Sequence, residues 1–231
     1  MFLHDTRRSQ FTYFLLYKTQ EIKFRLEELL IVCQSSRQRF NAGERPTKED
    51  GKLVNFHFSA FASLVQTIKD VMPVITEKTI SWTDMSEIRY MDFMHSIRNV
   101  ITHDGHPVIN LWVDGRYYIA CNFIRLNQYK KPVEVKAPSE DIETLVLKFT
   151  IDLISYLQKV ISPLLEEQVL LRPLYGEEFF DNAIKHPAIP EFAKNLYSEA
   201  DRVEIRKRAG DPATEVLAEL AMLITFCQSQ K

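Results

Sequence analysis

The feature that most limits how this chain can fold is a long apolar pattern near its start. From Ser9 to Phe40, apolar side chains recur at spacings of three and four, and no glycine or proline interrupts the run. This spacing places the apolar side chains on one face of a helix. The pattern therefore predicts a long amphipathic helix, which must bury that face against other helices.

Three further stretches have a helical pattern. We expect a second helix from about Lys52 to Val71, ended by Pro73. A third should begin at Asp84, as its N-cap, and run to about His103 before Gly105 ends it. A fourth should begin near Ser139 and continue to Leu164, with apolar residues around more than one face. The fourth helix is thus predicted to be central to the core.

The pattern of residue types changes twice after the third predicted helix. Between Pro107 and Tyr129, two β-prone runs flank Asp114-Gly115, which predicts one β-hairpin at about residues 107–129. After residue 172, shorter helical pieces are broken by prolines and a glycine. The prediction is an all-α fold: a bundle of four to five helices over residues 1–172, an inserted β-hairpin, and a helical C-terminal extension over residues 173–231.

Composition excludes several classes of protein. A net charge of −2 argues against a protein that coats nucleic acid over a broad basic surface, but not against one that engages RNA at a small site. Cys33, Cys121 and Cys227 are far apart, so we expect buried free thiols instead of disulfides or a cysteine-rich zinc site. No apolar stretch predicts a signal peptide or a membrane span. We therefore expect a cytoplasmic protein with no membrane partner.

The third predicted helix carries more polar chemistry than packing requires. His95, Asn99 and His103 stand at successive i, i+4 positions, and Arg98 and Thr102 form a parallel row beside them. These side chains make one contiguous patch at the C-terminal end of the helix. Histidine can act as an acid or a base near neutral pH, and arginine can bind two phosphate oxygens at once. The patch is a candidate site for phosphate chemistry.

The segment Arg98 to His103 reads Arg-Asn-Val-Ile-Thr-His and resembles the R-x(4-6)-H motif of the HEPN superfamily. The resemblance covers about residues 9–171. It implies a helical bundle with the motif on its third helix, a homodimer in which two motifs face each other, and metal-independent cleavage of RNA. Many members of this family are ribonucleases of toxin-antitoxin, CRISPR or phage-defence systems. An antitoxin or regulatory protein is therefore an expected partner, together with RNA.

The resemblance also assigns roles within the patch. It implies that Arg98 and His103 are catalytic, with no metal and no cofactor. Asn99 would orient a phosphate or a ribose of the RNA, and Thr102 or His95 would support the site.

Three other interpretations stay open. Cationic side chains in a last helical turn also favour the helix dipole, so Arg98 and His103 could serve as capping residues. A second interpretation is a HEPN-like module that binds RNA, a nucleotide or a partner without cutting.

The third interpretation is a metal-dependent phosphohydrolase of the HD type. The doublet His103-Asp104 resembles the metal-binding pair of that family, and His57 with Asp141 or Asp152 could complete the ligand set. Dependence on a metal would separate this alternative from the HEPN prediction.

Overall fold

The computed structural model of the protein describes residues 2–101, 107–126, 129–166, 175–207 and 211–230, and within them the side chains of all but residues 2–6 and 206. The helices are α1 (Phe2–Asn41), α2 (Lys48–Thr76), α3 (Met91–Asn99), α4 (Ile142–Ile161), α5 (Glu177–Ala183), α6 (Glu191–Leu196), α7 (Glu199–Lys207) and α8 (Pro212–Ser229). The strands are β1 (Leu111–Val113), β2 (Arg116–Tyr118), β3 (Phe123–Leu126) and β4 (Pro132–Val135). The expectation of a mainly helical chain is confirmed.

The long first helix is confirmed, and α2 packs along it. A capping box begins α2: the Thr47 hydroxyl accepts from the Asp50 backbone amide, and the Asp50 carboxylate accepts from the Thr47 amide. The prediction that Pro73 ends this helix is wrong, since α2 continues to Thr76. Proline removes one backbone donor, and burial of apolar side chains in this last turn, including the fully buried Ile75, offsets that loss.

The predicted start of the third helix is also wrong. Asp84 is not its N-cap but the second residue of a short 3₁₀ turn, where its carboxylate accepts from the Ser81 amide at 2.7 Å. The helix α3 begins at Met91, after Tyr90 takes a left-handed conformation with φ 62°. Past Asn99 the chain continues as a π-helical turn at residues 100 and 101. The predicted end at Gly105 lies outside the described residues.

The Asp114-Gly115 turn is confirmed, with both residues at positive φ and β1 paired antiparallel to β2. A Cβ on Gly115 would come within 2.9 Å of the Arg37 backbone, so the turn also approaches α1 closely. The prediction of one hairpin is incomplete. The strands β3 and β4 form a second hairpin, whose ends are joined where Asn122 Oδ1 accepts from the Ala137 amide at 2.9 Å.

The main core lies between α1, α2, α4 and α8. Asp141 caps α4 by accepting from the Thr144 amide, and α4 buries residues on several faces, as predicted. Within the segment assigned above to a C-terminal extension, α8 packs on α1 and α4 and buries Val216, Leu220 and Cys227. The short helices α5 to α7 bury none of their described side chains. The division of the chain after residue 172 stays a prediction.

Two sequence expectations concern exposure to solvent or membrane. Cys33 and Cys227 are buried, but Cys121 is exposed, so the expectation of three buried thiols is wrong for Cys121. Burial, and to a smaller extent the carboxylate of Asp141, raises the pKa of Cys33 to about 12. In the described part of the chain α2 is the single helix long and apolar enough to cross a membrane, and half of its most apolar window is buried in the fold, as in a core helix.

Candidate active site

Arg98 lies in the last turn of α3, on the side of the helix that does not enter the core. Met94 and Ile97 are fully buried beneath it, and α3 packs on α2. The partly buried guanidinium of Arg98 donates from Nη1 to the side-chain oxygen of Asn99 at 3.0 Å. Asn99 therefore contacts the Arg98 side chain directly, and its expected contact with a phosphate or a ribose stays a prediction.

His95 lies one turn before Arg98 and stacks on an indole ring. The rings of His95 and Trp82 are 4.1 Å apart and inclined by 18°. Trp82 comes from the connector between α2 and α3 and is partly buried. The imidazole is thus held on an aromatic surface, which fixes its position and removes water from one of its faces.

Two further cations, from other elements of the fold, lie near the stacked rings of His95 and Trp82. Lys69, on α2, places Nζ 5.7 Å from the centre of the Trp82 ring. Arg125, on β3, acts electrostatically on His95, and its Nε is buried without a hydrogen-bond partner among the described residues. We call Lys69, Trp82, His95, Arg98 and Arg125 the Trp82 cluster.

The Trp82 cluster carries more positive than negative charge. Asp92 lies within electrostatic reach of His95, and Asp70 lies 3.5 Å from Lys69 Nζ. Burial lowers the pKa of His95, the positive charges of Arg125, Arg98 and Lys69 lower it further, and Asp92 opposes them. Near neutral pH the imidazole is therefore mostly uncharged and can accept a proton or a hydrogen bond. The three cations favour an anion at this position.

The fold brings together three of the five residues predicted from the sequence: His95, Arg98 and Asn99. Thr102 and His103 lie outside the described residues. Sequence reasoning missed Lys69, Trp82 and Arg125, because they come from three other segments and no local spacing connects them to the motif.

The metal-dependent alternative also names His57, Asp141 and Asp152, and each of these side chains interacts with a charged residue. His57 Nδ1 is 3.6 Å from a carboxylate oxygen of Glu28. Asp152 accepts from Arg89 at 2.6 and 2.8 Å, and Asp141 accepts from Arg116 at 3.0 Å while it caps α4. Among the described residues, no group of three or more His, Cys, Asp and Glu side chains could hold a metal ion. His103 and Asp104 lie outside the described residues.

Comparisons with known proteins add no family assignment for this chain. No family model, no curated protein and no solved structure matches it.

Proposed function

We propose that this chain is a metal-independent endoribonuclease of the HEPN type, with an active site shared across a homodimer. The observation that carries the proposal is the position of Arg98: the motif arginine is oriented by Asn99 within a cluster whose positive charges exceed its negative ones. An arginine that only capped a helix would need neither a partner that aims it nor two further cations nearby.

The chemistry requires three contributions from the protein. A base removes the proton of a ribose 2′-hydroxyl, whose oxygen then forms a bond to the adjacent phosphorus. A cation stabilises the negative charge that grows on the phosphorane, which is the role of Arg98. An acid protonates the 5′-oxygen as its bond to phosphorus breaks, leaving a 2′,3′-cyclic phosphate and a 5′-hydroxyl. His103 supplies the base or the acid, because histidine titrates near neutral pH.

The reaction needs two proton transfers, and one motif supplies a single histidine, His103. Pairing two copies places a second His103 and a second Arg98 opposite the first pair, so that one histidine acts as base and the other as acid. His95 supports the site through the position that Trp82 gives it. This division of labour is the reason for the homodimer in the proposal.

The test is cleavage of a mixed RNA pool by the purified chain in excess chelator. We expect the parent to cut and to leave 2′,3′-cyclic phosphate ends, and Arg98→Ala and His103→Ala to lose at least about 100-fold in rate. The matched controls are Arg45→Ala and His186→Ala, which remove exposed residues of the same types far along the chain from the motif. The control variants should cut like the parent.

Three outcomes would contradict the proposal, each in favour of a different interpretation. Equal losses of thermal stability in Arg98→Ala and His103→Ala, with cleavage retained, would favour the capping role. RNA binding without cutting by the parent would favour the non-catalytic module. Cutting that requires an added divalent metal would favour the HD-type alternative.

A mixing experiment tests the shared site. Parent and His103→Ala chains, unfolded and refolded together, should form mixed dimers that carry two arginines but one histidine. Because the proposal needs one histidine as base and the other as acid, we expect these mixed dimers to cut nearly as slowly as the His103→Ala dimer. About half of the parent rate, with mixed dimers demonstrated by mass, would mean that each copy holds a complete site.

The cellular part of the proposal is that the chain acts as a toxin or defence effector held in check by an antitoxin or regulatory protein. Expression of the parent should then slow growth, and Arg98→Ala should relieve that effect. Equal toxicity of the two would separate growth inhibition from RNA cleavage.

A further inference from the structure

A cleft of about 530 Å³ lies where the first turns of α1 meet the end of α2 and the connector that follows it. Its polar lining consists mainly of basic side chains. The polar residues that line it are Arg7, Arg8, Lys69, Glu77, Lys78 and Thr79.

One cation and the only carboxylate among these six residues neutralise each other. Arg8 is almost completely buried and donates from Nε and Nη2 to the Ile75 carbonyl at 3.0 Å, which satisfies the end of α2. Its Nη1 lies 3.5 Å from a carboxylate oxygen of Glu77. This pair forms a fixed wall of the cleft. Asp70, which does not line the cleft, lies 3.5 Å from Lys69 Nζ, so Arg7 and Lys78 leave the cleft with a positive surplus.

The remaining three cations differ in their exposure to solvent. Arg7 and Lys78 are exposed at the mouth of the cleft, and Lys69 is mostly buried, with 21 % of its side chain accessible. Two exposed outer charges and one mostly buried inner charge suit a ligand that carries several separated negative charges. A phosphodiester backbone has that character.

Lys69 belongs to both the cleft and the Trp82 cluster. It lines the cleft, and its Nζ lies over the Trp82 ring, which in turn stacks on His95 one turn before Arg98. A chain of positive charge therefore runs from Arg98 past an aromatic surface into the cleft. Aromatic rings beside basic side chains are the usual combination that holds single-stranded nucleic acid.

We propose that this cleft binds backbone phosphates of a single-stranded RNA next to the cleaved bond, with Lys69 as the inner contact and Arg7 and Lys78 as the outer ones. The inference rests on the proposed function for its ligand and adds the path that the RNA strand takes away from Arg98. It also explains why a chain with a net negative charge concentrates cations where the start of α1 meets the end of α2.

The test measures binding separately from cleavage. A short single strand of 2′-O-methyl RNA keeps the phosphates but cannot be cut, since its 2′-oxygen has no proton to lose, so the parent chain can be titrated with a fluorescent form of it. The double variant Arg7→Gln/Lys78→Gln should bind roughly ten-fold more weakly at about 0.1 M salt. The slope of log affinity against log salt should become shallower by about 1.4, since each phosphate contact contributes about 0.7.

The matched control is Arg45→Gln/Lys48→Gln. It removes the same charge from exposed residues at the opposite end of α2, roughly 40 Å away along the helix. The control should bind like the parent apart from a small general effect of net charge. Because Arg7 and Lys78 are exposed, both double variants should melt at the parent temperature.

Each other outcome overturns the inference in a recognisable way. Equal binding by the cleft variant and the control would place the RNA path elsewhere, and chelator-resistant cutting could still uphold the proposed function. Binding of adenosine 5′-monophosphate that depends on Arg7 and Lys78, without binding of the single strand, would make this a mononucleotide site. No binding of the single strand by any form, together with no cutting, would overturn both proposals.

Discussion

Two clusters of charged side chains in this molecule balance their charge in opposite ways. At the start of α4, Arg37 forms an ion pair with Glu143, and Arg116 donates to Asp141 at 3.0 Å. We call these four residues the α4 cluster, in which each guanidinium faces a carboxylate. In the Trp82 cluster, three cations surround one histidine and an aromatic ring, with less negative charge nearby.

The comparison suggests two uses of charge. The paired charges of the α4 cluster stabilise the fold, and the surplus positive charge of the Trp82 cluster can attract a ligand. A carboxylate that is mostly buried, as Glu143 is, persists only when a cation compensates it. The cations of the Trp82 cluster outnumber the carboxylates beside them, so this position favours a bound anion. We therefore expect substitutions in the α4 cluster to change stability, and substitutions in the Trp82 cluster to change binding of RNA.

The largest effect should come from Glu143→Ala, which tests the structural half of the comparison. The change leaves Arg37, with 30 % of its side chain accessible, beside a vacated carboxylate site, and should lower the free energy of unfolding by roughly 2 to 3 kcal/mol. Urea denaturation measures the loss, and affinity for RNA should not change. A loss below about 0.5 kcal/mol would give this pair the worth of a surface ion pair.

Trp82→Ala should have the next largest effect, because the indole supports His95 and lies beside Lys69. We expect binding of single-stranded RNA to weaken by about 1 to 2 kcal/mol, the lower part of the range for loss of an aromatic stacking surface. The pKa of His95 should rise, since the imidazole loses part of its burial. NMR titration of the histidine follows the pKa.

Trp82→Phe is the matched control for that change, because it keeps an aromatic ring. It should restore most of the RNA affinity. If both variants bound equally weakly, the indole would matter for its size and not for stacking.

Arg125→Met tests the prediction that the charges of the Trp82 cluster do not stabilise the fold. Methionine keeps the apolar stem of the side chain and removes a buried Nε that has no hydrogen-bond partner among the described residues. The free energy of unfolding should stay constant or rise by about 0.5 to 1 kcal/mol. The pKa of His95 should rise because Arg125 lowers it.

RNA affinity of Arg125→Met should fall by several-fold, with a shallower salt dependence. A clear loss of stability instead would show that Arg125 stabilises the fold, and the contrast between the two clusters would fail at this residue.

The smallest effect concerns pH. His95 has a lowered pKa in the folded chain, so the unfolded chain binds more protons once the pH falls below the ordinary histidine value. Its contribution to stability is therefore complete above about pH 6.5 and is lost as the pH falls through the folded pKa.

Thermal melts between about pH 7.5 and pH 5 measure this loss. His95→Phe keeps a ring on Trp82 but cannot be protonated, so its stability should fall less over this range. Identical pH profiles of parent and variant would contradict the assignment of the lowered pKa to His95.

The helices could be predicted from the sequence more reliably than their ends. Apolar spacing identified α1, α2 and α4, because that signal is repeated over many turns. The end of α2 was missed because the packing of Ile75 outweighs the penalty at Pro73. The start of α3 was missed because Ser81 and Asp84 form a local capping box around a short 3₁₀ turn.

The second hairpin was missed for a different reason. Its two strands are short, and the contact that joins their ends runs from the Asn122 side chain to the backbone of Ala137. No β-alternation in the sequence indicates where that bond forms.

The sequence by itself determined that the chain is mainly helical, that Asp114-Gly115 turns a hairpin, and that His95, Asn99 and Arg98 share one end of a helix. These features follow from local geometry, since residues three or four apart on a helix are neighbours whatever surrounds them. Only the tertiary structure decided that Lys69, Trp82 and Arg125 lie near that end. Their approach depends on how α2, the connector and β3 pack around α3, and packing is set by shape and burial between distant segments.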